Sequence, residues 1–218
     1  MIYFTLNNKK IPLIVGILIF DDVEILDVAG PFEVFAVTRL NEEQRLQQSS
    51  PFKVYLISET NKQIIAIGGL RLTPDVTISE CPELDLLIIP GGWGTRKESK
   101  NKNLLNWIGN QFSTITTAND KLIASVCTGS SLLGKAGLLD GRDATTHWRA
   151  FDFLQESAPK TRILKNVRFT LIEPIFTSAG VSAGIDLALH IVSHFFGIEV
   201  GQATARYMEY PYPNNNQR

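Results

Sequence analysis

Cys127 stands in the run KLIASVCTGSSLLGKAGLL, between a short apolar stretch and a segment with helical spacing. A strand that turns sharply into a helix lifts a nucleophile out of the chain and aims helix N–H groups at its sulfur. Those donors and the helix dipole lower a thiol pKa and favour the thiolate, the form that attacks carbon. The arrangement has the logic of a nucleophile elbow with Cys in place of Ser. A buried structural cysteine leaves the same local pattern, so position alone keeps both readings open. Cys81, in TISECPELD, has no such setting and reads as structural.

Asp27 lies in ILDVAGP with apolar residues on both sides. A carboxyl held beside a thiol shares a proton with it or serves as general acid or base. Capping a helix that starts at Gly30-Pro31 is the competing role. Pro90-Gly91-Gly92, followed by Trp93-Gly94, permits φ > 0 and close backbone approach. It makes either a tight turn or a set of N–H donors toward a developing anion. His147, in ATTHW, follows a short strand and is placed to approach the cysteine. His190 and His194 are four apart on a helix, but no HExxH and no third ligand accompany them, so they read as packing residues. Asp21, Asp22, Glu24 and the run RKESKNK read as solvated loop charges. Neither GxxxxGK[ST] nor GxGxxG occurs at a strand-to-helix step, and CxxC is absent. The expectation is therefore neither a cofactor nor a metal.

The elements that must position these residues alternate. Short β-rich apolar runs are expected as strands at 11–20, 52–58, 84–89, 121–126 and 174–178, with a turn between short strands at 64–72. Helices are expected at 30–40, 104–116, from Ser131 to Gly137, and at 149–156, 181–196 and 199–208. A short strand is expected at 143–146 and a polar-alternating hairpin at 162–172. The tail YPYPNNNQR, in residues 209–218, reads as irregular or frayed. Strands alternating with helices indicate a mostly parallel sheet covered on both faces. With no repeat and no dividing linker, residues 1–218 are expected to form a single α/β domain of three layers. Ligands of such sheets bind beyond the carboxyl ends of the strands, where Asp27, Gly91-Gly92 and Cys127 all fall.

Composition narrows the function. The 218 residues are 44% hydrophobic and 20% charged, enough for a large core and too apolar for disorder. Twenty-one basic residues against 22 acidic ones give a net charge of −1, which argues against non-specific nucleic-acid binding. Two cysteines are too few for a disulfide scaffold. No signal-peptide pattern opens the chain, and no apolar run nears the roughly 20 residues that span a bilayer. A cytoplasmic protein with reduced thiols is expected.

ILDVAGPFEVF, CPELDLLIIPGGWG, VCTGSSLLGKAGLLDGRDATTHW and SAGVSAGIDLALHIV, in this order from about Ile14 to Tyr210, resemble the ThiJ/PfpI superfamily. The ATTHW block and the late MEYPYP resemble its isonitrile hydratase branch. The resemblance implies a flavodoxin-like sandwich, class I glutamine amidotransferase-like, and a homodimer. It implies Cys127 as nucleophile on a strained elbow, Asp27 as its carboxyl partner and Thr128 as a helper. Gly92 and the Thr128 amide would be oxyanion donors, with the Val181 N–H also near the site and His147 as an auxiliary. The peptidase-like branch carries a histidine directly after the cysteine, where Thr128 stands. Glyoxalase and deglycase branches carry Glu where Asp27 stands. Both departures favour cofactor-free hydration of an isocyanide to a formamide. Carbonyl chemistry of the glyoxalase, deglycase or amidase kind, or a cysteine-based redox sensor, are the alternatives. Relatives fused to a helix-turn-helix regulator also exist in this superfamily, and the sequence past Tyr210 is expected to hold no such module.

Overall fold

A computed structural model describes residues 4–6, 9–113, 121–212 and 216. Its central sheet has seven strands: β1 (Leu13–Leu18), β2 (Phe52–Ser58), β3 (Val76–Thr77), β4 (Leu86–Ile89), β5 (Leu122–Val126), β6 (Phe169–Ile172) and β7 (Ile175–Ser178). Their order across the sheet is β6-β7-β5-β4-β1-β2-β3. All neighbours are parallel except β6 and β7, which form an antiparallel hairpin. Every residue of β4 (LLII) and β5 (LIASV) is buried, because both faces of the sheet are covered.

Six helices supply the cover: α1 (Ile25–Val37), α2 (Lys102–Ser113), α3 (Gly129–Lys135), α4 (Phe151–Ser157), α5 (Ala183–Phe196) and α6 (Ile198–Tyr207). Helices α1, α5 and α6 pack together on one face, and α3 packs with α2 and α4 on the other. This is the flavodoxin-like α/β sandwich. From β1 the chain moves to β2 on one side and later to β4 on the other. That reversal opens a crevice at the carboxyl ends of β1 and β4.

Several boundaries differ from the sequence expectation. Helix α1 starts at Ile25, not at Gly30-Pro31, and Pro31 lies inside it. Proline forfeits one helical hydrogen bond, but Val28, Pro31, Val34 and Phe35 form a buried stripe at helical spacing that holds the helix together. The 162–172 segment is not one hairpin. Arg162–Ile163 pairs in parallel with Asp143–Ala144 outside the central sheet, while β6 pairs with β7. Alternation marks a strand without naming its partner. The end of the helix expected at 104–116 lies outside the described residues. Of the tail, residues 209–212 and 216 are described: Tyr212 Oη lies 2.8 Å from Ser193 Oγ, and the Asn216 side chain bonds the Phe169 N–H and carbonyl at 2.9 and 2.8 Å. An asparagine amide carries both a donor and an acceptor, so it pairs with a strand as backbone does.

Candidate active site

Between β5 and α3 only Cys127 and Thr128 form the turn. Cys127 adopts φ 57°, the left-handed region, at a cost of roughly 1–3 kcal/mol for a residue with a side chain. Its surroundings impose this. The Cys127 N–H donates to the carbonyls of Ser178 and Ala179 at 3.2 and 3.0 Å. Its carbonyl accepts from Thr146 Oγ1 at 2.8 Å and Ser130 Oγ at 3.1 Å. Bonds worth about 1 kcal/mol each are together sufficient to hold one strained residue.

Asp27 enters from the first turn of α1 and is fully buried. Its Oδ2 accepts from the Gly91 N–H at 2.9 Å, and Oδ1 is buried without a hydrogen-bond partner among the described residues. Burial pushes this carboxyl up to about 8. The nearby charge of Glu24 adds to the rise, while the Gly91 and Val181 amides and the Cys127 thiol oppose it. The acid is thus largely neutral at pH 7.

The sequence predicts a lowered thiol pKa at Cys127, and the structure reverses the direction. Burial pushes the thiol up to about 12, and the Asp27 charge adds to this. The Thr128 amide and hydroxyl do pull it down, as the elbow argument requires, but desolvation outweighs them. Thiol and carboxyl titrate as a pair: the first proton lost leaves one charge shared between sulfur and carboxylate.

The Pro90-Gly91-Gly92 turn closes over this pair. A Cβ on Gly91 would lie 2.7 Å from Cys127 Cβ and 2.5 Å from the Thr128 nitrogen, so close approach demands glycine. Gly92 has φ 128°, and its N–H donates to Thr128 Oγ1 at 3.0 Å. This corrects the expectation that the Gly92 amide is an open oxyanion donor: the Thr128 hydroxyl already occupies it. Thr95 Oγ1 braces the same corner, 2.7 Å from the Gly92 carbonyl oxygen and 3.1 Å from Thr128 Oγ1. Val181, with φ 55°, follows β7 and brings its amide to bear on Asp27.

Above the pair lies a cleft of about 230 Å³, with Cys127, Thr128 and Val181 among its lining residues. Glu24, Trp93, Arg96, His147 and Arg149 line it too. His147 is therefore brought to the site, where its Nδ1 accepts from the Arg149 N–H at 3.3 Å. Sequence reasoning missed the charged members. Glu24 is not a solvated loop charge but a half-buried residue at the start of α1. Its spacing of three from Asp27 is the signal that both share one helix face. Arg96 belongs to a single helical turn, Thr95–Glu98, within the run read as a loop. Thr95 and Thr146 carried no signal, because threonines in polar turns are ordinary.

The other candidates stay structural. Cys81 is half-buried, with its Sγ 3.3 Å from the Pro82 carbonyl oxygen. The His190 ring packs 4.5 Å from Phe169, and His194 Nδ1 lies 3.6 Å from Glu173 Oε1. No metal-ligating cluster of three or more His, Cys, Asp or Glu gathers among the described residues. No helix among them is long and apolar enough to cross a membrane.

The chain resembles known proteins over most of its length. Over 200 residues the chain is 33% identical to an isonitrile hydratase of Pseudomonas putida, covering 90% of this chain and 78% of the relative. It is 28% identical over 210 residues to the HTH-type transcriptional regulator GbdR of Pseudomonas aeruginosa. That match covers 96% of this chain but 54% of the regulator, so the chain spans about half of that relative's length. The crystal structure of a ThiJ/PfpI family protein from Pseudomonas syringae matches with a TM-score of 0.78 and 27% identity, over 99% of this chain and 84% of that one. Drosophila melanogaster DJ-1beta shares the fold, with a TM-score of 0.75 at 17% identity over 92% of this chain and 99% of that one. Residues 14–194 match the DJ-1/PfpI family model, and the chain belongs to the DJ-1/PfpI family.

Proposed function

We propose that this protein hydrates isonitriles, R–N≡C, to N-substituted formamides through Cys127 and Asp27. The observation that carries the reading is the buried Asp27 carboxyl beside a strained, buried Cys127. That pair couples a nucleophile to a proton donor in a buried setting. The likeness to an isonitrile hydratase over 90% of the chain supports it. The working unit is taken as a cytoplasmic homodimer, as the sequence resemblance implies.

The reactive form holds one proton for the pair, with sulfur as thiolate and Asp27 as acid. Sulfur attacks the terminal carbon, a C–S bond forms, C≡N becomes C=N, and Asp27 delivers its proton to the carbon. The product is a thioimidate, R–N=CH–S–Cys127, facing an ionised Asp27. The carboxylate then takes a proton from water as the hydroxyl adds to the same carbon, and passes that proton to nitrogen. As the C=O bond forms, the hydroxyl proton returns to Asp27, the C–S bond breaks and the thiolate leaves. The sum is isonitrile plus water giving R–NH–CHO. Thr128, with its amide and hydroxyl toward the sulfur, stabilises the thiolate at both ends of the cycle. A Cys–His dyad is disfavoured because Thr128 follows the cysteine. A redox sensor is disfavoured because oxidation selects exposed, low-pKa thiols.

The test is formamide production from cyclohexyl isocyanide by wild type, Cys127→Ala and Asp27→Asn side by side. Loss of turnover in Cys127→Ala is expected. A full rate in that variant rules out covalent catalysis. No turnover by wild type with an alkylatable Cys127 shifts the assignment to carbonyl substrates such as methylglyoxal.

A further inference from the structure

The mouth of the cleft carries two cations that the hydration chemistry does not use. Arg96 comes from the Thr95–Glu98 turn, and its guanidinium lies over the Phe153 ring of α4, 5.3 Å from the centroid. Arg149 comes from the segment leading into α4, with its guanidinium 4.7 Å from the Trp148 ring. Both side chains are exposed, and both line the Cys127 cleft. Among the described residues no carboxylate lies within ion-pair distance of either. Arg45, Arg162 and Arg168, by contrast, pair with Glu42, Asp143 and Asp186. A guanidinium stacked on a ring keeps its N–H edge available for a planar, bidentate acceptor.

Resting on the hydratase reading, we propose that the preferred isonitrile bears a carboxylate on its substituent, which Arg96 and Arg149 hold at the cleft mouth. The charge cannot sit near the reacting carbon. Glu24 lines the same cleft, and its field reaches Cys127 and Asp27, so an anion on the floor is repelled. A neutral isonitrile head at Cys127 and an anionic tail at the mouth satisfy both signs. Trp93, exposed on the same cleft, offers a ring surface to an aromatic spacer between them.

The experiment compares 4-isocyanobenzoate with its methyl ester, using wild type, Arg96→Gln, Arg149→Gln and the double variant. Two exposed ion pairs together give a preference of about tenfold. The kcat/KM ratio of acid to ester is therefore expected near ten in wild type. It should fall toward one in the double variant and in about 0.5 M salt. Calorimetric binding of both compounds to Cys127→Ala, with and without the arginine changes, gives a readout independent of turnover. Equal handling of acid and ester by wild type and double variant, in turnover and in binding, overturns the proposal and leaves hydration standing. Arginine-dependent binding of the acid without any turnover removes the hydratase reading and retains the anion site. Neither turnover nor arginine-dependent binding removes both.

Discussion

Replacing Asp27 by Asn removes a carboxyl that the folded protein keeps neutral and the unfolded chain ionises. Burial raises this carboxyl from 3.8 to about 8. Between those values the folded state binds one proton more than the unfolded state. The stability tied to that proton is complete below about pH 4 and is lost as pH rises through 8. Each pH unit inside the window costs about 1.4 kcal/mol. From pH 5 to pH 7 wild type therefore loses roughly 3 kcal/mol through this group alone. Asparagine has no proton to lose, so the variant gains on wild type by that amount over the same interval. For a chain of this length the gap corresponds to a melting shift of about 6–12 °C. Urea unfolding followed by tryptophan fluorescence at pH 5, 6 and 7 measures it directly. A stability gap that stays constant across these pH values would falsify the buried neutral acid. Catalysis is expected to move the opposite way, with kcat/KM down at least about 100-fold for want of the proton donor. Higher stability with lost activity is the mark of a group kept in an unfavourable environment for its chemistry.

The same pair sets the pH profile: kcat/KM for an isonitrile should rise about tenfold per unit from pH 6 and level off above about 8, as the first shared proton leaves. A flat profile from pH 5 to 8 contradicts the coupling. Iodoacetamide should alkylate Cys127 more slowly than a free cysteine at pH 7, followed by peptide mass spectrometry, because burial keeps the thiol protonated. Faster alkylation than free cysteine would restore the low-pKa elbow. Gly91→Ala should lower stability by roughly 1–3 kcal/mol, since the new Cβ meets backbone nitrogen and Cys127 Cβ at distances that do not relax. A thermal unfolding curve within about 0.5 kcal/mol of wild type shows that the turn can yield.

Much of the site was legible before any coordinates. The runs LDLLIIP and KLIASV are short, largely apolar and cut off by Gly, Pro or Cys, and they became β4 and β5. Strand ends in a parallel sheet face one crevice, so Asp27, Gly91 and Cys127 were bound to meet although Asp27 and Gly91 lie 64 residues apart. The start of α1 was misread because Gly30-Pro31 imitates a helix start, and only packing against the sheet shows the helix passing through Pro31. The short strand β3 has two residues and leaves no period to detect.

What local pattern did not contain is the state of the groups once assembled. The elbow argument is correct about Thr128 and still yields the wrong direction for the Cys127 thiol. Helix donors act through one neighbour, whereas desolvation sums over everything that excludes water, including Asp27 from α1 and Gly91 from the β4 turn. The Gly92 amide looked open because its acceptor, Thr128 Oγ1, comes from 36 residues away. Glu24 and the Arg96 run read as solvated loop charges, and Arg149 only as the start of a helix, until the fold set them around one cleft. Residue order and spacing determined the elements, the sheet and the place of the chemistry, because those depend on periodicity within a few turns of chain. Protonation, donor occupancy and the charge of the cleft were decided by the tertiary structure, because burial and electric field depend on distances through space.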